Sequence, residues 1–391
     1  MHLSEMTIGE LAGTKYECSC KRTHSVDIDL IDISESANEN AINYISAKYP
    51  GKKTLICDEN TYKVAGKQIE EGLSGAGQKL ALHVVQGRNG LAIAPDDAII
   101  GSVLARMERN TDHFMAVGSG VINDITRQIS YKMGVDYTVI ATAPSMDGYA
   151  SVTSSLIINN VKQSIQGQYP RAIFGQTDVL KNAPYEMLTA GFGDVIGKYN
   201  ALREWRFGRD MNGEHYCAEI AGLVENAVAK CRQSSAGLKK RDEKAVVNTM
   251  EALVLAGMAM GLYKGTRPAS GAEHHMVHYW DVDCIRRGVE HELHGNSVGI
   301  GTVIICRLFD MVRDRLPVEV DYIDADEIES ILKDAGCKTS PVEAGIDRDL
   351  FKRSIMYGNT MSSKFTVLEY LARENPELLE ETADRLCDIY Y

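Results

Sequence analysis

The 391-residue chain has no CxxC pair, no block of basic residues, no internal repeat and no low-complexity linker. Lys and Arg total 42 against 54 Asp and Glu, a formal net charge of −12. Such a surface cannot gain from counterion release on a polyanion, so neither nucleic acid nor an anionic membrane is an expected partner. The opening residues lack the cationic start and apolar core of a secretory leader. Apolar runs fall short of the roughly 20 residues that a membrane span needs, so no span is expected. The nine cysteines are odd in number and scattered, which reads as reduced thiols and a cytoplasmic location. Cys18 and Cys20 form the one close pair. Zinc could bind there, but no second pair in the sequence completes a set of four ligands.

What is present is ordinary for a globular chain, 44% hydrophobic and 25% charged, and long enough for two domains. In the first half, short β-like runs at Thr54–Cys57, Ala81–Val85, Phe114–Val117 and Thr138–Ala141 alternate with amphipathic helical stretches at Asp96–Arg109 and Val121–Met133. That alternation predicts βαβ units and a mostly parallel sheet. Leu156-Ile157-Ile158, the pair Asn159-Asn160 and Val161 predict a β-hairpin, because Asn tolerates the left-handed backbone of a tight turn. From Asn182-Ala183-Pro184 onward the patterns are almost wholly helical: 184–206, 213–232, 242–263, 269–281, 295–313, 326–335, 347–357 and a tail at 366–390. The expected architecture is an α/β dinucleotide-binding domain over residues 1–183, followed by an all-α metal and substrate domain over 184–391.

Val117-Gly118-Ser119-Gly120-Val121-Ile122 follows a strand and opens a helix. Glycines there let the backbone approach a pyrophosphate, and the helix start supplies free N–H groups. A tight turn without ligand fits equally well. The motif is GxGxxxD rather than GxGxxG, and the acidic residue at a strand end, Asp58, precedes the glycines instead of following them. This argues against a standard Rossmann half. Asp58 could meet ribose hydroxyls or cap a helix. The loop Thr142-Ala143-Pro144-Ser145, with Asp147 and Gly148 beyond it, follows the next strand, where open α/β sheets place ligand contacts. Asp147-Gly148 also reads as an ordinary turn.

Asp194 in GFGDVIGK, His274 in SGAEHH and His294 in LHGNSVG make a carboxylate and two imidazoles, a divalent-metal set with positions left open. His278 shares a helical face with His274, four residues on. His275 is turned away from that face, and His291 reads as surface. Lys198, one turn after Asp194, could meet a substrate phosphate or simply be solvated.

Together SGAEHHMVH, the final His-Gly and TAPSMDGYAS resemble the sn-glycerol-1-phosphate dehydrogenases, and their longer bacterial members in particular. These belong to the iron-containing alcohol dehydrogenase superfamily, with dehydroquinate synthase-like architecture. The resemblance covers about residues 50–310. It implies Asp194, His274 and His294 as metal ligands, with zinc or nickel and also iron as candidates. It implies Asp147, Asp194 and His278 as substrate contacts, with His278 relaying the alcohol proton. Asp58, Gly118, Ser119, Gly120, Val121, Ile122, Thr142, Ala143, Pro144, Ser145 and Ser151 would contact NAD(H) or NADP(H). The Asp58 carboxylate would repel a 2′-phosphate and so favours NAD(H).

The implied reaction is reduction of dihydroxyacetone phosphate to sn-glycerol 1-phosphate, in a homo-oligomer by analogy with the superfamily. A glycerol dehydrogenase acting on the unphosphorylated ketone is the alternative. A dehydroquinate synthase-like lyase would place glutamate where Asp194 stands. Two departures stand out: Ser119 replaces a glycine, and Asn296 replaces a common glutamate two residues after His294.

Overall fold

The computed structural model describes residues 3–88 and 92–391. The chain begins with a small antiparallel hairpin, β1 (Lys15–Glu17) and β2 (Thr23–Ser25). The central sheet uses β3 (Leu30–Ser34), β4 (Lys53–Asp58), β5 (Leu80–Val85), β6 (His113–Gly118), β7 (Tyr137–Ala141) and, after an inserted hairpin, β10 (Ala172–Gln176). The inserted hairpin consists of β8 (Thr153–Ile158) and β9 (Val161–Gln166). Sheet order is β3-β10-β7-β6-β4-β5, with every neighbouring pair parallel. Every residue of β6 and β7 is buried, as expected of parallel strands covered on both faces. The covering helices include α1 (Ala37–Lys48), α2 (Lys67–Gly75), α3 (Asp97–Arg106) and α4 (Gly120–Met133).

The strand order reverses between β4 and β6. The chain runs outward from β4 to β5 on one side, and from β6 to β7 on the other. At that switch point the C-terminal ends of β4, β6 and β7 bring Asp58, Gly118 and the residues after Ala141 to one edge of the sheet, the place where open α/β sheets bind ligands. Pairing of Gly118 with Ala141 sets the glycine turn directly beside the 142–145 loop. The Asn159-Asn160 turn has φ of 51° and 61°, the two left-handed residues that a two-residue hairpin of this twist requires.

After Pro184 the chain is helical: α5 (Tyr185–Asn212), α6 (Ala218–Arg232), α7 (Glu243–Tyr263), α8 (Ala272–Arg287), α9 (His294–Val312), α10 (Ala325–Asp334), α11 (Arg348–Tyr357), α12 (Val367–Glu374) and α13 (Pro376–Tyr390). Two expectations are corrected here. The stretch read as helical from 213 starts only at Ala218, because Gly213 ends α5 in the left-handed conformation. The tail is two helices rather than one, since Asn375 leaves the helical region before Pro376 restarts it.

A third correction concerns the length of the apolar stretches, not the expectation that no helix spans a membrane. The helices at Glu243–Tyr263 and His294–Arg315 are long and apolar enough to cross a bilayer by length and composition. In each, 83% of the apolar window is buried inside the fold, so these are the central packing helices of the molecule. Their apolar character serves two clusters. One joins Ile125, Val139 and Ala143 of the sheet region to Phe192, Trp205 and Leu253. The other joins Trp280, Ile304 and Phe309 to the last helices.

Candidate active site

Asp194 on α5, His274 on α8 and His294 at the first residue of α9 converge, with one ligand atom from each lying within 4.8 Å of the others. α5, remote in sequence from the consecutive helices α8 and α9, meets them here, and α5 and α9 touch main chain to main chain. A Cβ on Gly193 would lie 2.4 Å from the Gly295 carbonyl oxygen, and one on Gly295 would lie 1.8 Å from that of Ala190. Only glycine permits such an approach, and it places Asp194 against the start of α9.

His274 Nδ1 lies 2.7 Å from Glu273 Oε1. Gly271 N also donates to that oxygen at 2.7 Å, and Asn200 donates to Oε2. A carboxylate can only accept, so Nδ1 carries the proton and Nε2 presents its lone pair toward Asp194, 3.8 Å from Oδ1. His294 Nδ1 is buried and has no hydrogen-bond partner. An unsatisfied buried imidazole nitrogen is costly, and a cation among these ligands would remove that cost. Burial pushes His274 well below its ordinary value and His294 down to about 4, so both are neutral, as ligands must be. Carboxylate plus imidazole suits zinc, nickel or iron, and the residues fit a resident divalent metal.

His294 also belongs to a second grouping with His278 and Asp281. The rings of His278 and His294 stack with centroids 5.7 Å apart. Burial, then the positive charge of Lys162, holds His278 well below its ordinary value and therefore neutral. Asp281 is ion-paired to Lys162 of β9 at 2.6 Å. Burial would raise the Asp281 carboxyl, but Lys162 and His291 hold it at about 2. The inserted hairpin is thereby tied to the helix that carries His274 and His278.

Lys198 is not solvated, which corrects one of its two readings. It is 1% exposed and lies 2.5 Å from Asp194 Oδ1 and 2.7 Å from Asp147 Oδ2. Asp147 N donates to Asp194 Oδ2 at 3.0 Å, so the 147–150 turn is anchored to the candidate ligand Asp194. Burial and then the Asp194 charge raise the Asp147 carboxyl. His275 is buried outside both groupings, and His291 lies at the margin, 3.6 Å from Asp281. Asn296 is buried and donates to Glu292 Oε1 at 3.0 Å, leaving its own Oδ1 without a partner.

On the sheet side, Ser119 precedes α4 with φ −105°, a conformation open to any residue, so its replacement of glycine costs no strain. Gly118 is required by space instead: a Cβ there would lie 2.7 Å from that of Ile122. Thr142 N donates to Gly118 O at 3.2 Å, joining the loop that contains Ala143, Pro144 and Ser145 to the glycine turn. Asp58 does cap a helix, its Oδ1 accepting from Asn60 N at 2.8 Å and Thr61 N at 2.9 Å. Ser151 is buried and its hydroxyl is engaged with Thr153 Oγ1 at 3.1 Å, turned inward to the start of β8.

Sequence reasoning missed Glu273, Asp281 and Lys162. For Glu273 a signal was available, an acid directly beside a candidate ligand histidine. Lys162 reaches the site only through tertiary folding.

A parallel sheet with a switch point, followed by helices that gather a carboxylate and two imidazoles, is the arrangement expected of a metal-dependent dehydrogenase. The family model for iron-containing alcohol dehydrogenase matches residues 32–184. The chain is 31% identical over 390 residues to glycerol-1-phosphate dehydrogenase [NAD(P)+] of Geobacillus thermodenitrificans, covering 93% of this chain and 96% of that one. It is 34% identical over 294 residues to the enzyme of the same name from Halalkalibacterium halodurans, covering 75% and 74%. Among solved structures, glycerol dehydrogenase from Schizosaccharomyces pombe superposes with a TM-score of 0.70 at 18% identity, covering 93% of this chain and 90% of that one. The last likeness concerns the fold. The chain belongs to the glycerol-1-phosphate dehydrogenase family and is an oxidoreductase of that class.

Proposed function

We propose that the protein reduces dihydroxyacetone phosphate to sn-glycerol 1-phosphate with NADH or NADPH and a divalent metal. The family relatives support the reaction. The convergence of Asp194, His274 and His294 beside Asp147 and Lys198 is the observation that carries the reading. Residues 1–183 bind the dinucleotide, and residues 184–391 hold metal and substrate. Asp194, His274 and His294 are the metal ligands, and zinc, nickel or iron fits them. When bound, the metal supplies a positive charge that polarises the substrate carbonyl, and the nicotinamide supplies the hydride.

The remaining work falls to this chain's own residues. The Gly118–Ile122 turn and the Thr142–Ser145 loop cradle the pyrophosphate and ribose at the switch point. Asp58 stands at the end of β4 for the adenosine ribose, and its charge favours NAD(H). Ser151 supports the loop end from within. Asp147 and Lys198 face the substrate, the buried ammonium offering a counter-charge to a phosphate or a donor to a hydroxyl. His278, neutral and next to His294, accepts the alcohol proton in oxidation and returns it in reduction. Nine free cysteines suit a reducing, cytoplasmic compartment, and the working form is a homo-oligomer.

The test is metal analysis of purified protein, followed by NADH oxidation with dihydroxyacetone phosphate or dihydroxyacetone, before and after chelation. Chelator-sensitive turnover with strong preference for the phosphorylated ketone is expected. Preference for the unphosphorylated ketone would overturn the substrate assignment.

A further inference from the structure

A second set of metal-ligating side chains lies away from the helices of the active site. Cys18 and Cys20 sit in the turn between β1 and β2, and His24 is on β2. Cys217, 199 residues from Cys18, is the N-cap of α6. One ligand atom from each of these four residues lies within 4.8 Å of all the others. Folding thus supplies the two ligands that the sequence could not, and it corrects the expectation that Cys18 and Cys20 stand alone.

The distances have the dimensions of a tetrahedral thiolate site. Zinc bonds of about 2.3 Å to sulfur and about 2.0 Å to nitrogen place two sulfurs about 3.8 Å apart, and sulfur and nitrogen about 3.5 Å apart. Cys18 Sγ and Cys217 Sγ are 3.6 Å apart. His24 Nε2 is 3.5 Å from Cys217 Sγ and 3.2 Å from Cys20 Sγ. The two sulfurs are too far apart for a disulfide, whose bond is about 2.05 Å.

The imidazole is already oriented for a metal. His24 Nδ1 lies 2.7 Å from the Leu262 carbonyl oxygen near the end of α7. A carbonyl can only accept, so Nδ1 carries the proton and the Nε2 lone pair points among the three sulfurs. Such an outer hydrogen bond is the usual companion of a metal-bound histidine. His24 and Cys217 are fully buried.

We propose that Cys18, Cys20, His24 and Cys217 bind a structural zinc ion, separate from the catalytic metal. Four protein ligands close the coordination shell and leave no position for water or substrate, so the role is to hold. The ion fastens the N-terminal hairpin to the start of α6 and, through His24, to the end of α7. Binding releases the thiol protons and involves no change of oxidation state.

The experiment uses the full-length protein, purified with zinc and dialysed against metal-free buffer. Metal content by mass spectrometry is expected to be two equivalents per chain. It should fall to one in Cys18→Ser/Cys20→Ser and, independently, to one in His274→Ala. Because cysteine variants can fail to fold, the unmutated chain and His274→Ala are also produced with cobalt(II) in place of zinc. Both should show a near-ultraviolet thiolate-to-cobalt charge-transfer band. Absence of that band, or loss of all metal in His274→Ala, overturns the proposal. So does a Cys18–Cys217 disulfide located by peptide mapping of the denatured, unreduced protein, since that pair could not then bind zinc.

Discussion

Lys198 reaches one helical turn back to Asp194, its ammonium 2.5 Å from the carboxylate oxygen Oδ1, with both side chains withdrawn from solvent. Burial alone would push the lysine toward neutrality, but Asp147 and Asp194 together raise it above its ordinary value. A fixed positive charge therefore stands beside Asp194, the proposed metal ligand. For Lys198→Met, KM for dihydroxyacetone phosphate should rise roughly tenfold or more, the equivalent of about 1.4 kcal/mol, while metal retention is undiminished. Steady-state kinetics alongside equilibrium dialysis checks this. An unchanged KM would remove the lysine from substrate binding.

On the proposed assignment of His274 as a metal ligand, Glu273 would act on the metal through its 2.7 Å hydrogen bond to His274 Nδ1. Replacing it by Gln keeps the shape but lets an amide N–H face Nδ1. Metal affinity should fall about 10–100-fold, the usual cost of losing such an outer partner. Competition with a chromophoric chelator measures it, and an unaltered affinity would refute the assignment.

The Lys162–Asp281 pair joins the inserted hairpin to α8. Asp281→Asn leaves Lys162 without its counter-charge. Fully buried pairs lose about 3–5 kcal/mol when broken in this way. Lys162 keeps 17% of its side chain exposed, so roughly 2 kcal/mol is expected here. Urea unfolding of metal-free protein is the measurement.

Acid should destabilise the protein from about pH 6.5 downward. His113 is fully buried, stacked on Tyr49 with centroids 3.6 Å apart and bonded through Nε2 to Thr138 Oγ1 at 2.9 Å. Burial, then Lys53 and Lys48, lower its value from 6.5 to about 3. Between those pH values the unfolded chain binds a proton that the folded one refuses. Stability is thus complete above 6.5 and lost as pH falls toward 3, by up to about 1.4 kcal/mol per pH unit. His113→Gln should show a shallower acid slope in thermal melts. An identical slope would mean that other groups carry it.

Much of the architecture is legible in local pattern. The interior strands β4, β6 and β7 contain the apolar runs Leu55–Cys57, Phe114–Val117 and Val139–Ala141, and the Asn159-Asn160 turn announces its hairpin. The edge of the sheet is harder. β3 reads Leu-Ile-Asp-Ile-Ser, short and interrupted by an acid, and its pairing with β10 joins segments more than a hundred residues apart. Asp194, His274 and His294 stand out in sequence as residue types able to hold a metal, although they lie on three different helices, and the fold brings them together. Cys217 could not be assigned, since nothing near it in sequence hints that Cys18, Cys20 and His24 come to meet it.

The glycine contact between α5 and α9 has a consequence for how the enzyme can change. The separation of Asp194 from His294 is set by two main chains in touch, not by the side chains around them. Substitutions that reshuffle the apolar interior can accumulate without altering the span that the metal sees. A single methyl group, as in Gly295→Ala, has no room before the Ala190 carbonyl and must force the helices apart. It should reduce metal occupancy while circular dichroism still reports the full helical content. The spacing of the ligands is in this sense a dimension of the backbone, kept apart from the part of the molecule that is free to drift.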